Sequence, residues 1–102
     1  MIHTITPEEV PIILKKNLSN VNFVILDVRT AEEFQEQHLD KAVNIDFHQA
    51  DFTTRIVSLD RSKTYLVHCH SGGRSTKTAE LMNQSGFLDI YNVVGCIWEK
   101  EN

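Results

Sequence analysis

Residues 64–74 read Thr64-Tyr65-Leu66-Val67-His68-Cys69-His70-Ser71-Gly72-Gly73-Arg74 and place a cysteine at the end of an apolar run. Such a run is typical of a buried β-strand, because β-branched and aromatic side chains favour strands. The glycines that follow indicate a turn, and a helix is then predicted from Arg74 to Gln84, with Gly86 as its C-cap. Cys69 is therefore predicted to lie at a strand-to-helix junction.

The rest of the chain alternates between strand-like and helix-like segments in the same way. Residues 23–28 form an apolar run that ends in a carboxylate, Asp27, as expected of a buried central strand whose carboxyl end reaches a polar rim. Thr30 followed by Glu33 is a capping-box pattern, which predicts the start of a short helix. Further strands are predicted at 2–5, 42–45 and 90–94, and further helices at 6–18 and 47–59. This alternation predicts an α/β domain with a parallel sheet flanked by helices.

Composition limits the classes of partner and compartment. A length of 102 residues predicts a single domain, 1–102, and a formal charge of −4 gives no general attraction to nucleic acid or anionic membranes. With neither a signal-peptide pattern nor an apolar run of membrane-spanning length, the expected protein is soluble and cytoplasmic and binds no membrane. Its two cysteines, Cys69 and Cys96, are too few for a four-cysteine zinc site and are expected to be free thiols.

The predicted junction has the features of an anion-binding site. Ligands of parallel α/β sheets bind beyond the carboxyl ends of the strands, and a glycine-rich turn can direct backbone N–H groups inward. A thiolate at Cys69 would be stabilised there and would be nucleophilic at neutral pH. Residues 61–79 contain four basic side chains and no acidic one, which fits a small anionic substrate. The plainer alternative is that Cys69 is a buried structural side chain.

Several short motifs occur in a fixed order along the chain: Ile25-Leu26-Asp27-Val28-Arg29, Glu33-Phe34, His38-Leu39, Ala42-Val43-Asn44-Ile45 and His68-Cys69-His70-Ser71-Gly72-Gly73-Arg74-Ser75. Together they resemble the rhodanese family over nearly the whole chain. The resemblance implies a three-layer α/β fold with a central, mainly parallel five-stranded sheet flanked by helices.

The resemblance also implies a function, that of a sulfurtransferase. Cys69 would take sulfane sulfur from thiosulfate or a persulfide and pass it, as a persulfide, to a thiol or cyanide acceptor. The partners implied are thus a small anionic sulfur donor and that acceptor, and neither a cofactor nor a metal is required. The rest of the six-residue loop is expected to bind the donor: His70, Ser71, Gly72, Gly73 and Arg74. Structural support is expected from Asp27, Arg29 and Ser75.

Three other functions are weighed against this one. Cysteine-dependent phosphatases and arsenate reductases are related, but the phosphatases have five residues between Cys and Arg, whereas this chain has four between Cys69 and Arg74. A noncatalytic rhodanese-like module would bind or regulate a partner, although such modules often lack the cysteine. A redox sensor would require Cys69 and Cys96 to come within bonding range. His68 and His70 suggest a metal site or a general base, but strand alternation directs them away from Cys69.

The chain also departs from the family pattern. Residues 37–42 read Gln-His-Leu-Asp-Lys-Ala where the family usually has Gly-His-Ile-Pro-Gly-Ala, so this turn cannot rely on glycine. Gly95-Cys96 replaces the usual glycine pair, and Cys96 is interpreted as a tolerated turn residue, with sulfur acceptance or resolution of an oxidised Cys69 as the alternatives. The chain stops at Asn102, before most of the family's closing helix, which suggests an exposed sheet face and a homodimer.

Overall fold

The computed structural model describes residues 1–98 and contains a five-stranded sheet. The strands are β1 (Ile2–Ile5), β2 (Phe23–Asp27), β3 (Val43–Asn44), β4 (Thr64–His68) and β5 (Asp89–Val93). Their order across the sheet is β1-β5-β4-β2-β3, and every neighbouring pair is parallel. The predicted α/β class is confirmed, and the sheet is wholly rather than mainly parallel.

Helices cover both faces of the sheet. They are α1 (Val10–Lys16), α2 (Ala31–Glu36), α3 (Phe52–Val57) and α4 (Gly73–Gln84), and a 3-10 turn at Pro7–Glu9 precedes α1. The first and third helices are shorter than the sequence predicts. Pro11 lies in the first turn of α1, where a backbone N–H would have no intrahelical partner, so a proline is tolerated there. The segment before it forms the 3-10 turn. The low helix propensity of threonine is consistent with a short α3.

The capping box predicted for α2 is present. The Glu33 N–H donates to Thr30 Oγ1 at 3.2 Å, and the Thr30 N–H donates to Glu33 Oε1 at 2.9 Å. Both groups would otherwise lack a partner at the start of the helix, so the box fixes where α2 begins. It also holds the Glu33 carboxylate at the amino end of α2.

Two apolar clusters lie on opposite faces of the sheet. The larger cluster includes Tyr65, Val67 and Cys69 and packs against α3 and α4. The smaller includes Leu66 and packs against α1. Successive residues of a strand point to opposite faces, so the alternation along β4 assigns Cys69 to the side of the sheet that packs against α4.

The smaller cluster leaves part of its face uncovered. A cleft of about 570 Å³ lies beside α1 and β2, and its apolar lining consists of Leu14, Leu18, Val21, Phe23, Ile25 and Leu39. The homodimer suggested by the sequence stays a prediction.

None of the helices within residues 1–98 is both long enough and apolar enough to span a membrane.

The register of the sheet brings three strand ends together. Asp27 of β2 lies opposite His68 of β4 and opposite Asn44 of β3. The Asn44 side-chain amide donates to the backbone oxygens of Asp27 and Arg29, at 3.0 Å each. The segment that follows β2 is therefore fixed beside the end of β4, where Cys69 begins the next loop.

The turn before β3 is built without glycine. Lys41 has a φ of 68°, which makes it the one non-glycine residue with positive φ among residues 1–98. It occupies the position at which the related pattern usually has its second glycine. The left-handed conformation is strained for a residue with a Cβ atom, by about 1–2 kcal/mol.

Candidate active site

Cys69 follows β4 directly and is buried, with 1 % of its surface exposed. Its Sγ accepts hydrogen bonds from the backbone N–H groups of Gly72, at 3.1 Å, and Ser75, at 3.3 Å. Both donors belong to the loop and the first turn of α4, which curl around the sulfur. The sulfur atom thus lies at the amino end of a helix, where the peptide dipoles favour negative charge.

The pKa of Cys69 is set by two opposing effects. Burial raises the pKa, because it disfavours the charged thiolate. Hydrogen bonds from Ser75, and from the backbone N–H groups of Gly72 and Arg74, act in the opposite direction and outweigh burial. The net result is a pKa below the ordinary value for cysteine, so a larger fraction of this thiol is ionised at neutral pH.

The two loop glycines have different roles. Gly72 has a φ of 109°, and a Cβ atom added to it would lie 3.2 Å from the Cα atom of Val94. Gly73 is instead the first residue of α4, and an added Cβ would meet nothing within 4 Å. The sequence predicts that both glycines shape the turn, but only Gly72 needs to be glycine for its backbone conformation and for space.

Arg74 forms an ion pair across the molecule. Its Nη1 lies 2.9 Å from Glu33 Oε1 and its Nη2 lies 3.4 Å from Glu33 Oε2. The local sequence around Arg74 contains no acidic residue, so an uncompensated positive charge is the natural expectation. The carboxylate that compensates it comes from α2, 41 positions away.

A second charged pair lies under the same end of the sheet. Asp27 is completely buried, and its two carboxylate oxygens accept three hydrogen bonds from the Arg29 guanidinium, between 2.7 and 3.1 Å long. The Arg29 guanidinium also donates to the Gln37 backbone oxygen and lies 4.3 Å from the ring centroid of Trp98. The supporting role expected of Asp27 and Arg29 stays a prediction.

His68 is buried beside this pair. Its Nε2 lies 3.6 Å from Asp27 Oδ2, beyond hydrogen-bond distance, and its ring meets that of Trp98 edge-on, with the centroids 5.7 Å apart. Burial lowers the pKa of His68. Burial thus disfavours the charged form of the ring, which lies on the side of the strand opposite Cys69.

The other predicted site residues differ in exposure. His70, Ser71 and Gly73 are exposed at the mouth of the loop, whereas Ser75 is buried beneath it. The Ser75 hydroxyl also lies 3.2 Å from the backbone oxygens of Gly72 and Val93, and its single proton can serve one acceptor at a time. The Ser75 side chain therefore ties the loop to the end of β5.

Cys96 follows the segment that packs on the loop. Both Cys69 and Cys96 are free thiols, and Cys96 is partly exposed. Within residues 1–98, no three His, Cys, Asp or Glu side chains are grouped closely enough to hold a metal ion.

The sequence does not identify two of these residues, Glu33 and Trp98, as parts of the site. Glu33 is visible as a capping residue, but nothing in the sequence connects it with Arg74. Trp98 is the sole tryptophan and lies far along the chain from Arg29 and His68, which it contacts. A lone aromatic residue near the end of a chain carries no pattern that would identify its partners.

Comparison with known proteins identifies a matching family. Residues 10–97 match the Rhodanese-like domain family. The thiosulfate sulfurtransferase GlpE of Pseudomonas savastanoi is 38% identical over 73 residues, which are 71% of this chain. They are 66% of that protein, so the match covers just under two thirds of its length. Thiosulfate sulfurtransferase 16 of Arabidopsis thaliana is 30% identical over 99 residues, covering 87% of this chain and 82% of that protein.

The fold is also found in solved structures. A rhodanese-like domain protein from Staphylococcus aureus superimposes with a TM-score of 0.74, at 29% identity, over 98% of this chain and 94% of that one. The family match covers most of the chain, and the sequence and structural relatives agree with it. The chain therefore belongs to the rhodanese-like domain family.

Proposed function

We propose that this protein is a sulfurtransferase that carries sulfane sulfur as a persulfide on Cys69. The observation that supports this most directly is the position of the Cys69 Sγ atom. It accepts hydrogen bonds from two backbone N–H groups at the amino end of α4. Such a site lowers the pKa of the thiol and would equally stabilise the negative outer sulfur of a persulfide. Relatives named as thiosulfate sulfurtransferases support the same assignment.

The reaction divides into two displacements at sulfur. The Cys69 thiolate attacks the outer sulfur of thiosulfate, the sulfur–sulfur bond of the donor breaks, and sulfite leaves with the bonding electron pair. A thiolate or cyanide acceptor then attacks the outer sulfur of the Cys69 persulfide, which regenerates the Cys69 thiolate. Covalent catalysis of this kind replaces one difficult transfer by two easier ones.

The remaining loop residues are assigned supporting roles in this proposal. Backbone N–H groups of Gly72 and the residues around it would hold the transferred sulfur, while His70, Ser71, Gly73 and Arg74 would meet the donor at the mouth. Ser75 would hold the loop on β5. Asp27 and Arg29 would fix the adjacent strand ends, since their charges already satisfy each other.

Mass spectrometry of the intact protein after brief treatment with thiosulfate tests the proposal. The wild type should gain one sulfur atom, about 32 Da, and lose it on addition of cyanide or a thiol. Cys69→Ser should gain nothing, whereas the matched Cys96→Ser variant should behave as the wild type. Absence of the adduct from wild type with thiosulfate and with an organic persulfide, or its presence on Cys69→Ser, would contradict the proposal.

A further inference from the structure

Arg74 is the only lysine or arginine in the loop from Cys69 to Ser75. A guanidinium at the mouth of a sulfur site would ordinarily attract a dianion such as thiosulfate. Here, however, its two terminal nitrogens face the two oxygens of Glu33, at 2.9 and 3.4 Å. The Arg74 and Glu33 side chains are 21% and 33% exposed, so the pair lies at the surface where a donor would arrive.

The Glu33 carboxylate is held in this position by more than Arg74. Its Oε1 also accepts hydrogen bonds from the Thr30 N–H, at 2.9 Å, and from the Thr30 hydroxyl, at 3.1 Å. The hydrogen bond from Arg74 contributes most to lowering the pKa of Glu33, from 4.5 to about 2, despite the opposing effect of burial. Glu33 is therefore ionised throughout the neutral range and neutralises the loop arginine.

This pair changes what a donor meets at the loop. Attraction of an anion by Arg74 is opposed by repulsion from Glu33, and both effects scale with the charge of the donor. The other charged pair at this end of the sheet, Asp27 with Arg29, is also self-neutralising. Beside these neutralised pairs, a donor meets the dipoles of the loop N–H groups, which do not require a double negative charge.

We infer that Glu33 is a specificity-determining residue, which favours sulfane-sulfur donors that carry one negative charge or none over dianionic thiosulfate. Organic persulfides and thiosulfonates are such donors. The inference rests on the proposed function and refines its substrate class. With a persulfide donor, the Cys69 thiolate attacks the outer sulfur of R–S–SH, the donor sulfur–sulfur bond breaks, and RS⁻ leaves. With a thiosulfonate, the leaving group is the sulfinate RSO₂⁻.

Two donors of similar shape allow a direct test. Thiosulfate is a dianion, and in methanethiosulfonate a methyl group replaces one of its charged oxygens. Glu33→Gln removes the negative charge but keeps a side chain that can complete the capping box. We expect kcat/KM to rise about tenfold for thiosulfate and about threefold for methanethiosulfonate, since the removed repulsion scales with donor charge. The ratio of the two values should therefore rise about threefold.

Two further variants separate this effect from other causes. Glu32→Gln removes one charge from the same helical turn at an exposed position and should leave the ratio unchanged. Adding Arg74→Gln to Glu33→Gln should abolish the gain with thiosulfate, because the double variant, like the wild-type ion pair, has no net charge at this position. Circular dichroism of each variant checks that the fold is retained.

The outcomes distinguish the inference from the proposed function. If Glu33→Gln is folded and its donor ratio is unchanged or lower, Glu33 only positions Arg74 and the inference is wrong. If the wild type forms no Cys69 persulfide with either donor by intact mass, the proposed function itself fails. Persulfide formation by wild type together with the shifted ratio supports both.

Discussion

At the scale of single residues, the environment of Cys69 combines burial with directed hydrogen bonds. Burial alone would make the thiol inert, as in an ordinary core cysteine. The N–H groups of Gly72 and Ser75 point at its sulfur and reverse that effect. The sequence already indicates a reactive cysteine here, because a glycine-rich turn follows a strand. It does not indicate which N–H groups reach the sulfur.

The lowered pKa of Cys69 leads to a measurable prediction. In a Cys96→Ser background, the ultraviolet absorbance of the thiolate should titrate with a midpoint below that of free cysteine, because the hydrogen bonds to Sγ lower the pKa of Cys69. Ser75→Ala should move that midpoint upward, because the hydroxyl contributes to stabilising the thiolate. A midpoint at or above the free value in the Cys96→Ser protein would contradict this account of the site.

Lys41 offers a second test at the residue scale. Its positive φ lowers the stability of the folded protein by about 1–2 kcal/mol. Glycine adopts this conformation without strain, but its greater backbone freedom in the unfolded chain costs about 0.5–1 kcal/mol of stability. Lys41→Gly should therefore increase the free energy of unfolding in urea by about 0.5–1 kcal/mol.

Asp40→Gly is the matched control, since Asp40 precedes Lys41 in the same turn and its φ is not positive. That substitution should decrease the free energy of unfolding. If both substitutions stabilised the protein, or if neither did, the explanation by backbone strain at Lys41 would be wrong.

At the scale of elements, one residue of α2, Glu33, both caps its own helix and neutralises the charge of the loop arginine. Glu33 accepts hydrogen bonds from the backbone N–H of Thr30, the residue that precedes α2, and from the guanidinium of Arg74 in α4. The capping box is local, so the sequence predicts it correctly. The ion pair depends on how α2 and α4 are placed around the sheet, which no spacing in the sequence encodes.

The pH dependence of stability should reveal this contact. Folding lowers the pKa of Glu33 from 4.5 to about 2, so the unfolded chain binds its proton more readily than the folded one. The stabilisation is thus complete above pH 4.5 and is lost as the pH falls towards 2. The difference in free energy of unfolding between wild type and Glu33→Gln should shrink over that window.

Glu32→Gln again provides the control for this measurement. Its exposed side chain lies in the same turn of α2, and its stability should run parallel to that of the wild type as the pH falls. A constant difference between wild type and Glu33→Gln from pH 5 to pH 2 would mean that the ion pair does not stabilise the folded state.

At the scale of the whole molecule, the strand order decides which distant residues meet. The central strands β4 and β2 lie side by side although α2, β3 and α3 separate them in sequence. Their carboxyl ends form one edge, where parallel sheets present their ligand sites. Trp98 then covers this edge by contacting Arg29 and His68, beyond β2 and at the end of β4.

The sequence alone determined the features that depend on neighbours along the chain. Apolar runs specified the strands, the Thr30–Glu33 spacing specified the start of α2, and the run from Cys69 to Arg74 specified a thiol at the start of a glycine-rich turn. These follow from local backbone preferences and from side-chain periodicity. The match of so many local signals to one order of elements is why the α/β class could be predicted.

Only the tertiary structure decided which charges and surfaces meet. It paired Arg74 with Glu33, which turned a locally basic loop into a neutral one, and it placed Trp98 against Arg29. It also separated the two glycines, since Gly72 must fit against Val94 while Gly73 faces open space. These contacts join residues far apart in sequence, and their energies depend on distances that exist only once the parallel sheet has brought the strand ends together.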